Sequence, residues 1–147
     1  MSRPRELPVF FIDHCLGTQQ VAARLRGEGV EARVLVEEGF PEDADDVEWL
    51  PIVASKGWAV LTKDKRIRRR AIEREAILAS GAGAFVLVAS GPRGEAIAEA
   101  FARAQPRMIR FWQMRARPFI AAVSAQGNVT MLEGGARRCS IGRGTKS

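Results

Sequence analysis

The chain has one histidine, no tyrosine and two cysteines in 147 residues. Each scarcity closes off some chemistry. Cys15 has neither a second histidine nor an Asn/Asp pattern to support it, so a cysteine nucleophile is not indicated. His14 sits at a strand end, where a single histidine reads as a plain polar contact. Cys15 and Cys139 are far apart in sequence, which implies no disulfide framework and fits a reducing compartment. Long apolar runs are also missing. The stretch after Met1-Ser2-Arg3-Pro4-Arg5-Glu6 is too short for a signal-peptide core, and no segment approaches the roughly 18 apolar residues of a membrane span. The expectation is a soluble cytoplasmic protein with no membrane partner. No internal repeat and no linker appears. One domain is expected over residues 1–133, followed from Gly134 by a basic Gly/Arg/Ser-rich tail, 134–147, whose composition suits disorder.

What is present is an ordinary globular composition, 46% hydrophobic and 27% charged. A chain of this length buries enough apolar surface to fold without disulfides. The formal net charge is +6 and the sequence pI about 10.3. Such a balance in a small domain points to a polyanionic partner, nucleic acid ahead of an acidic protein.

The hydrophobic pattern alternates between strand and helix. Val9–Ile12 is a short apolar run, as expected of a strand buried on both faces. Thr18–Arg26 carries Val21, Ala22 and Leu25 at helical spacing and ends at Gly27 and Gly29. Val30–Val36 suits a second strand, and Glu37–Asp45 an acidic loop. Asp46–Lys56 predicts a helix that kinks at Pro51 or begins just before it. Trp58–Leu61 is a third strand and Arg66–Ala79 a third helix. Ala84–Ala89 is purely apolar, which suits a central strand. Arg93–Ala104 predicts a fourth helix interrupted by Pro106, with Met108–Met114 continuing it for a further turn or two. Phe119–Val123 and Val129–Leu132 flank Gln126-Gly127-Asn128 as a hairpin. Strands alternating with helices define an α/β three-layer sandwich with a mainly parallel, Rossmann-like sheet and an antiparallel hairpin near the C-terminus.

Within that frame the acids stand out. Asp13 closes the first strand and Asp64 follows the third, so neighbouring strands would bring both to one rim, where open α/β sheets bind ligands. Asp43, Asp45, Asp46 and Glu48 cluster between them. Carboxylates gathered in a cleft repel unless a cation or proton neutralises them. In a basic chain a divalent metal is the simplest reason to gather them. Taken singly, Asp46 reads as a helix cap, with Asp45 and Glu48 at capping-box spacing, and Asp13 and Asp64 as turn residues. Acids around Mg²⁺ or Mn²⁺ form a site that cuts phosphodiesters without a histidine base. A receiver-type phosphoacceptor needs a pair of acids after the first strand and a lysine at the fifth. A dehalogenase-type phosphatase needs an acid where Cys15 stands. Neither pattern is present.

The segments Phe10-Phe11-Ile12-Asp13-His14, Asp46-Val47-Glu48-Trp49-Leu50 and Trp58 through Arg68 resemble the PIN-like domain group, which includes VapC-type ribonuclease toxins. Leu61-Thr62-Lys63-Asp64-Lys65-Arg66 is the most specific piece. The resemblance covers Val9–Ile72 by motif and Ala84–Leu132 by element order. It implies a PIN-like fold, a Mg²⁺- or Mn²⁺-dependent endoribonuclease, a toxin role opposed by a small cognate antitoxin, and a homodimer. By motif position, Asp13, Asp46 and Asp64 match the catalytic, metal-binding acids. Many PIN nucleases carry a further acid after the fourth strand. Here Ala89-Ser90-Gly91-Pro92 holds none, which leaves Ser90, Asp43 or Asp45 to compensate and one or two metals open. The RNA backbone would be held by Lys63, Lys65, Arg66, Arg68, Arg69 and Arg70, against a plainer reading as a solvated helix face. A second basic stretch, Arg107–Arg117, contains Phe111 and Trp112, which read as core residues ahead of base-stacking rings. The alternative to a nuclease is a catalytically weak PIN-like module that binds RNA or protein.

Overall fold

The computed structural model describes residues 8–13, 18–34, 36–39, 46–63, 75–88 and 94–134. In chain order these form β1 (Phe10–Ile12), α1 (Thr18–Gly27), β2 (Ala32–Val34), a 3₁₀ turn (Val36–Glu38), α2 (Asp46–Ser55) and β3 (Ala59–Lys63). A helix α3 includes residues 75–80. It is followed by β4 (Gly83–Leu87), α4 (Gly94–Met114), β5 (Phe119–Val123) and β6 (Val129–Gly134). The six strands make one sheet in the order β2-β1-β3-β4-β5-β6. All neighbours are parallel except β5 and β6.

Successive strand residues point to opposite faces, and both faces are apolar because helices cover both. Phe10, Ile12, Ala59, Leu61, Phe85, Leu87, Phe119 and Ala121 face α1 and α4. Phe11, Val60, Ala84 and Ile120 face Trp49, Leu50 and Val53 of α2 and Ile77 of α3. This is why β1, β3 and β4 read as unbroken apolar runs rather than alternating ones. The α4 layer lies so close to the sheet that a Cβ on Gly83 would fall 2.7 Å from the Trp112 ring and 2.9 Å from the Phe119 ring. An exposed ion pair, Arg24 Nη1 to Glu99 Oε1 at 2.8 Å, bridges α1 and α4. The hydrogen bond from Arg24, and then its charge, hold the Glu99 carboxyl below its ordinary range.

Several boundaries differ from the sequence expectation. α4 is not interrupted at Pro106; it joins the expected Arg93–Ala104 helix and the Met108–Met114 turns into one helix ending at Met114. Proline in a helix interior costs about 3 kcal/mol or more. Continuing the helix buries Met108 and Trp112, and side chains of that size contribute about 1.5–3 kcal/mol each. Pro106 itself is exposed. α2 starts at Asp46, the first of the two expected alternatives, and passes through an exposed Pro51. β2 spans only Ala32–Val34, because the chain turns into the 3₁₀ segment at Val36. β3 runs two residues past Leu61, to Lys63, in register with β4 as far as Leu87. The hairpin is present, but Glu133 faces Ile120 while Met131 faces Ala121. Leu132 is therefore an extra residue on the edge strand, 47% exposed. A bulge there disrupts the outer ladder and blunts the edge against pairing with other chains.

The β5–β6 turn rests directly on α4. Gly127 has φ +89°, and a Cβ there would lie 2.7 Å from the Arg103 Cβ and 3.0 Å from the Arg103 carbonyl carbon. Gly127→Ala is therefore expected to destabilise the fold by about 1–3 kcal/mol, the range for a strained backbone. The readout is a lower urea midpoint at unchanged slope.

Candidate acidic site at the sheet rim

β1 lies between β2 and β3. The chain leaves β1 to one side to form β2, then crosses to the other side to form β3. The strand order reverses at that point, and the crevice outside the carboxyl ends of β1 and β3 is where ligands of open α/β sheets bind. Asp13 is the residue after β1, and its N–H donates to the Leu61 carbonyl at 3.0 Å. The pairing of Ile12 with Leu61 puts Asp13 beside Thr62. Thr62 Oγ1 donates to Asp13 Oδ2 at 2.7 Å. Asp13 is 3% exposed and Thr62 7%. A buried carboxylate is costly unless it is bonded, and a hydroxyl donating to a charged oxygen is among the stronger hydrogen bonds. Thr62 therefore orients the carboxylate at the rim. Sequence reasoning quoted Thr62 within a motif but gave it no role. The signal was there: a hydroxyl residue inside an apolar strand, level with the acid of the adjacent strand.

Topology carries α2 to the same rim. β2 and β3 are parallel to β1, so the helix connecting them must begin at the carboxyl ends of the strands. Asp46 is the first residue of α2. Only its backbone is described, so the position of its carboxylate lies outside the described residues. Asp43, Asp45 and Asp64 also lie outside them, as do Ser90 and the expected RNA contacts Lys65, Arg66, Arg68, Arg69 and Arg70. Lys63 ends β3 and is half-buried. Among the described residues no three His, Cys, Asp or Glu side chains converge. The donors that are described, a carboxylate and a threonine hydroxyl, are hard oxygen groups of the kind that Mg²⁺ and Mn²⁺ prefer.

The second basic stretch resolves in favour of packing. Trp112 is buried, and its ring meets Phe119 edge-on at 5.9 Å. Phe111 meets Phe85 at 5.9 Å and Phe119 at 5.0 Å. These rings belong to the α4 side of the core and do not form a platform for bases. A shallow groove between α1 and α4, lined by Gln20, Ala23, Arg24, Ala96, Ala98 and Glu99, holds only the Arg24–Glu99 pair and no convergent catalytic groups.

A mainly parallel α/β sandwich with an acid buried at its switch point defines a class of domain. The chain belongs to the PIN-like domain family, whose description, PIN like domain, matches residues 8–89. Over 97 residues it is 34% identical to a Mycobacterium tuberculosis protein named "Putative ribonuclease VapC45", covering 64% of this chain and 67% of that one. No solved structure matches the chain significantly.

The Thr62–Asp13 contact makes a stability prediction. Thr62→Val leaves the buried carboxylate without this donor and is expected to cost about 1.5–3 kcal/mol, the range for a hydrogen bond to a charged group. Thr62→Ser keeps the hydroxyl and should recover most of that loss. Urea unfolding of both variants in EDTA tests it, and equal stability of the two would show that the hydroxyl does not support Asp13.

Proposed function

We propose that the protein is a Mg²⁺- or Mn²⁺-dependent endoribonuclease, the toxin of a toxin–antitoxin pair, acting in the cytoplasm. Its catalytic domain would span residues 1–133. The observation that carries this reading is the buried Asp13 carboxylate, oriented by Thr62 at the β1–β3 switch point. Family membership and the ribonuclease name of a relative support the same chemistry.

In this reading Asp13, Asp46 and Asp64 hold the cation. When bound, the ion supplies positive charge that polarises the scissile phosphate and activates water at neutral pH. Thr62 fixes the Asp13 carboxylate by occupying Oδ2. Lys63, Lys65, Arg66, Arg68, Arg69 and Arg70 would bind the backbone on either side of the cut, giving position rather than sequence choice. The expected partners are RNA, a small cognate antitoxin and a second copy of the chain.

Asp13→Asn and Asp64→Asn should each abolish Mn²⁺-dependent cleavage of mixed RNA, and EDTA should do the same to the parent chain, with far-UV circular dichroism unchanged. Expression of the parent without its antitoxin should arrest growth, and expression of either variant should not. If no cleavage appears that both EDTA and Asp64→Asn remove, the protein is a binding module and the missing acid near Ser90 is the cause.

A further inference from the structure

The positive charge is concentrated in the last third of the chain. Residues 1–99 carry 14 Lys and Arg against 16 Asp and Glu, whereas residues 100–147 carry nine against one. No acid occurs between Glu99 and Glu133, a span that contains Arg103, Arg107, Arg110, Arg115 and Arg117. The described arginines of α1 and β2 are neutralised locally. Arg24 pairs with Glu28 and Glu99, Arg26 with Glu37, and Arg33 with Glu31 and Glu38. Along α4, among the described residues, only Arg103 has such a partner, Glu99 at 3.3 Å. Arg107 is held by a carbonyl instead, donating to Gly127 at 3.1 Å. Arg110 is exposed.

Arg103, Arg107 and Arg110 recur at spacings of four and three, so they share one helix face, and all three are exposed. They span about 10 Å along the axis at 1.5 Å per residue. Arg103 also donates to the Ala125 carbonyl at 3.3 Å, so the stripe borders the β5–β6 turn. Beyond the helix, the Arg117 guanidinium lies 4.0 Å over the Trp112 ring and that of Arg115 lies 5.5 Å from Phe111. Carbonyl bonds thus order Arg103 and Arg107 on this face. A guanidinium so held keeps donors for bidentate contact with phosphate.

We propose that this arginine flank of α4 is a second track for the phosphate backbone of RNA, separate from the acidic rim. The proposal takes its anion from the ribonuclease reading above. β1 and β6 are four strand spacings apart, about 19 Å at 4.7–4.9 Å each. An RNA engaging both regions would cross the β4–β6 half of the molecule. An acidic protein segment fits less well. Protein interfaces centre on buried aromatic and aliphatic anchors, and here Phe111 and Trp112 are committed to the core, leaving Met114 as the exposed large apolar side chain of α4 among the described residues.

The test uses the full-length chain in EDTA, so that binding is read without cleavage. Affinity for a fluorescent single-stranded RNA long enough to reach both regions is followed between about 50 and 200 mM salt, the range over which phosphate contacts dominate. The double variant Arg107→Gln/Arg110→Gln is expected to lower the slope of log affinity against log salt by about 1.4, at about 0.7 per lost contact on single strands. If that variant does not fold, Arg110→Gln alone, which removes no bond to the turn, should lower it by about 0.7. An unchanged slope overturns the proposal. So does absence of RNA binding by the parent chain, or tighter binding of polyglutamate than of RNA in a variant-sensitive manner. Cleavage with Mn²⁺ is scored separately. A parent that binds with the expected slope change but never cuts keeps the track and loses the nuclease, and the converse pair of results keeps the nuclease and loses the track.

Discussion

The 3.0 Å bond from the Asp13 N–H to the Leu61 carbonyl extends the β1–β3 ladder one residue past the end of β1, and the arrangement of the rim depends on it. It holds Asp13 in the register set by Phe10 opposite Ala59 and Ile12 opposite Leu61. A slip of one residue would turn every side chain of β1 to the other face. Phe11 would leave its place against Trp49 and Trp58, and the carboxylate of Asp13 would no longer meet Thr62. The pairing that packs the two cores is thus the same pairing that aims the acid.

The two ends of the sheet serve different purposes. At the carboxyl ends of β1 and β3 a polar pair is buried within an otherwise apolar layer, a cost that a structural role alone does not require. At the opposite rim Trp58 stacks on Phe11, with Arg33 and Lys56 over its ring at 5.7 and 5.1 Å. That cluster seals the α2 side of the core with amphipathic side chains, whose stems cover apolar surface while their charges stay wet. The asymmetry is the usual one for open α/β sheets, whose ligands gather at the carboxyl-end rim.

Charge is divided along the chain in a similar way. The α1–β2 region balances arginine with glutamate, and such exposed pairs contribute little to stability, about 0–1 kcal/mol each. The α4 flank carries Arg107 and Arg110 without an acidic partner among the described residues, and a carbonyl bond orders Arg107. A surplus maintained by ordering rather than by neutralisation favours encounter with a polyanion over stability of the fold.

Much of this was legible in the sequence. Unbroken apolar runs with intervening helical periods identify a parallel sheet covered on both faces, because only burial on both sides removes the alternation. The acid Asp13 at the end of β1, the Gly127 turn and the hairpin follow from local chemistry. The unbroken passage of α4 through Pro106 did not. Pro106 is a local breaker, and local propensity says nothing of Met108 and Trp112 having a core to enter. The length of β3 and the bulge at Leu132 depend on a neighbouring strand's register, which no local window contains. The role of Thr62 was hidden for the same reason: it lies 49 positions from Asp13 in the chain. The sequence by itself determined which residues are apolar, acidic or basic and in what period. Tertiary structure alone decided which of them meet, because the β1–β3 crossover turns two distant segments into adjacent strands, and only adjacency lets a hydroxyl reach a carboxylate.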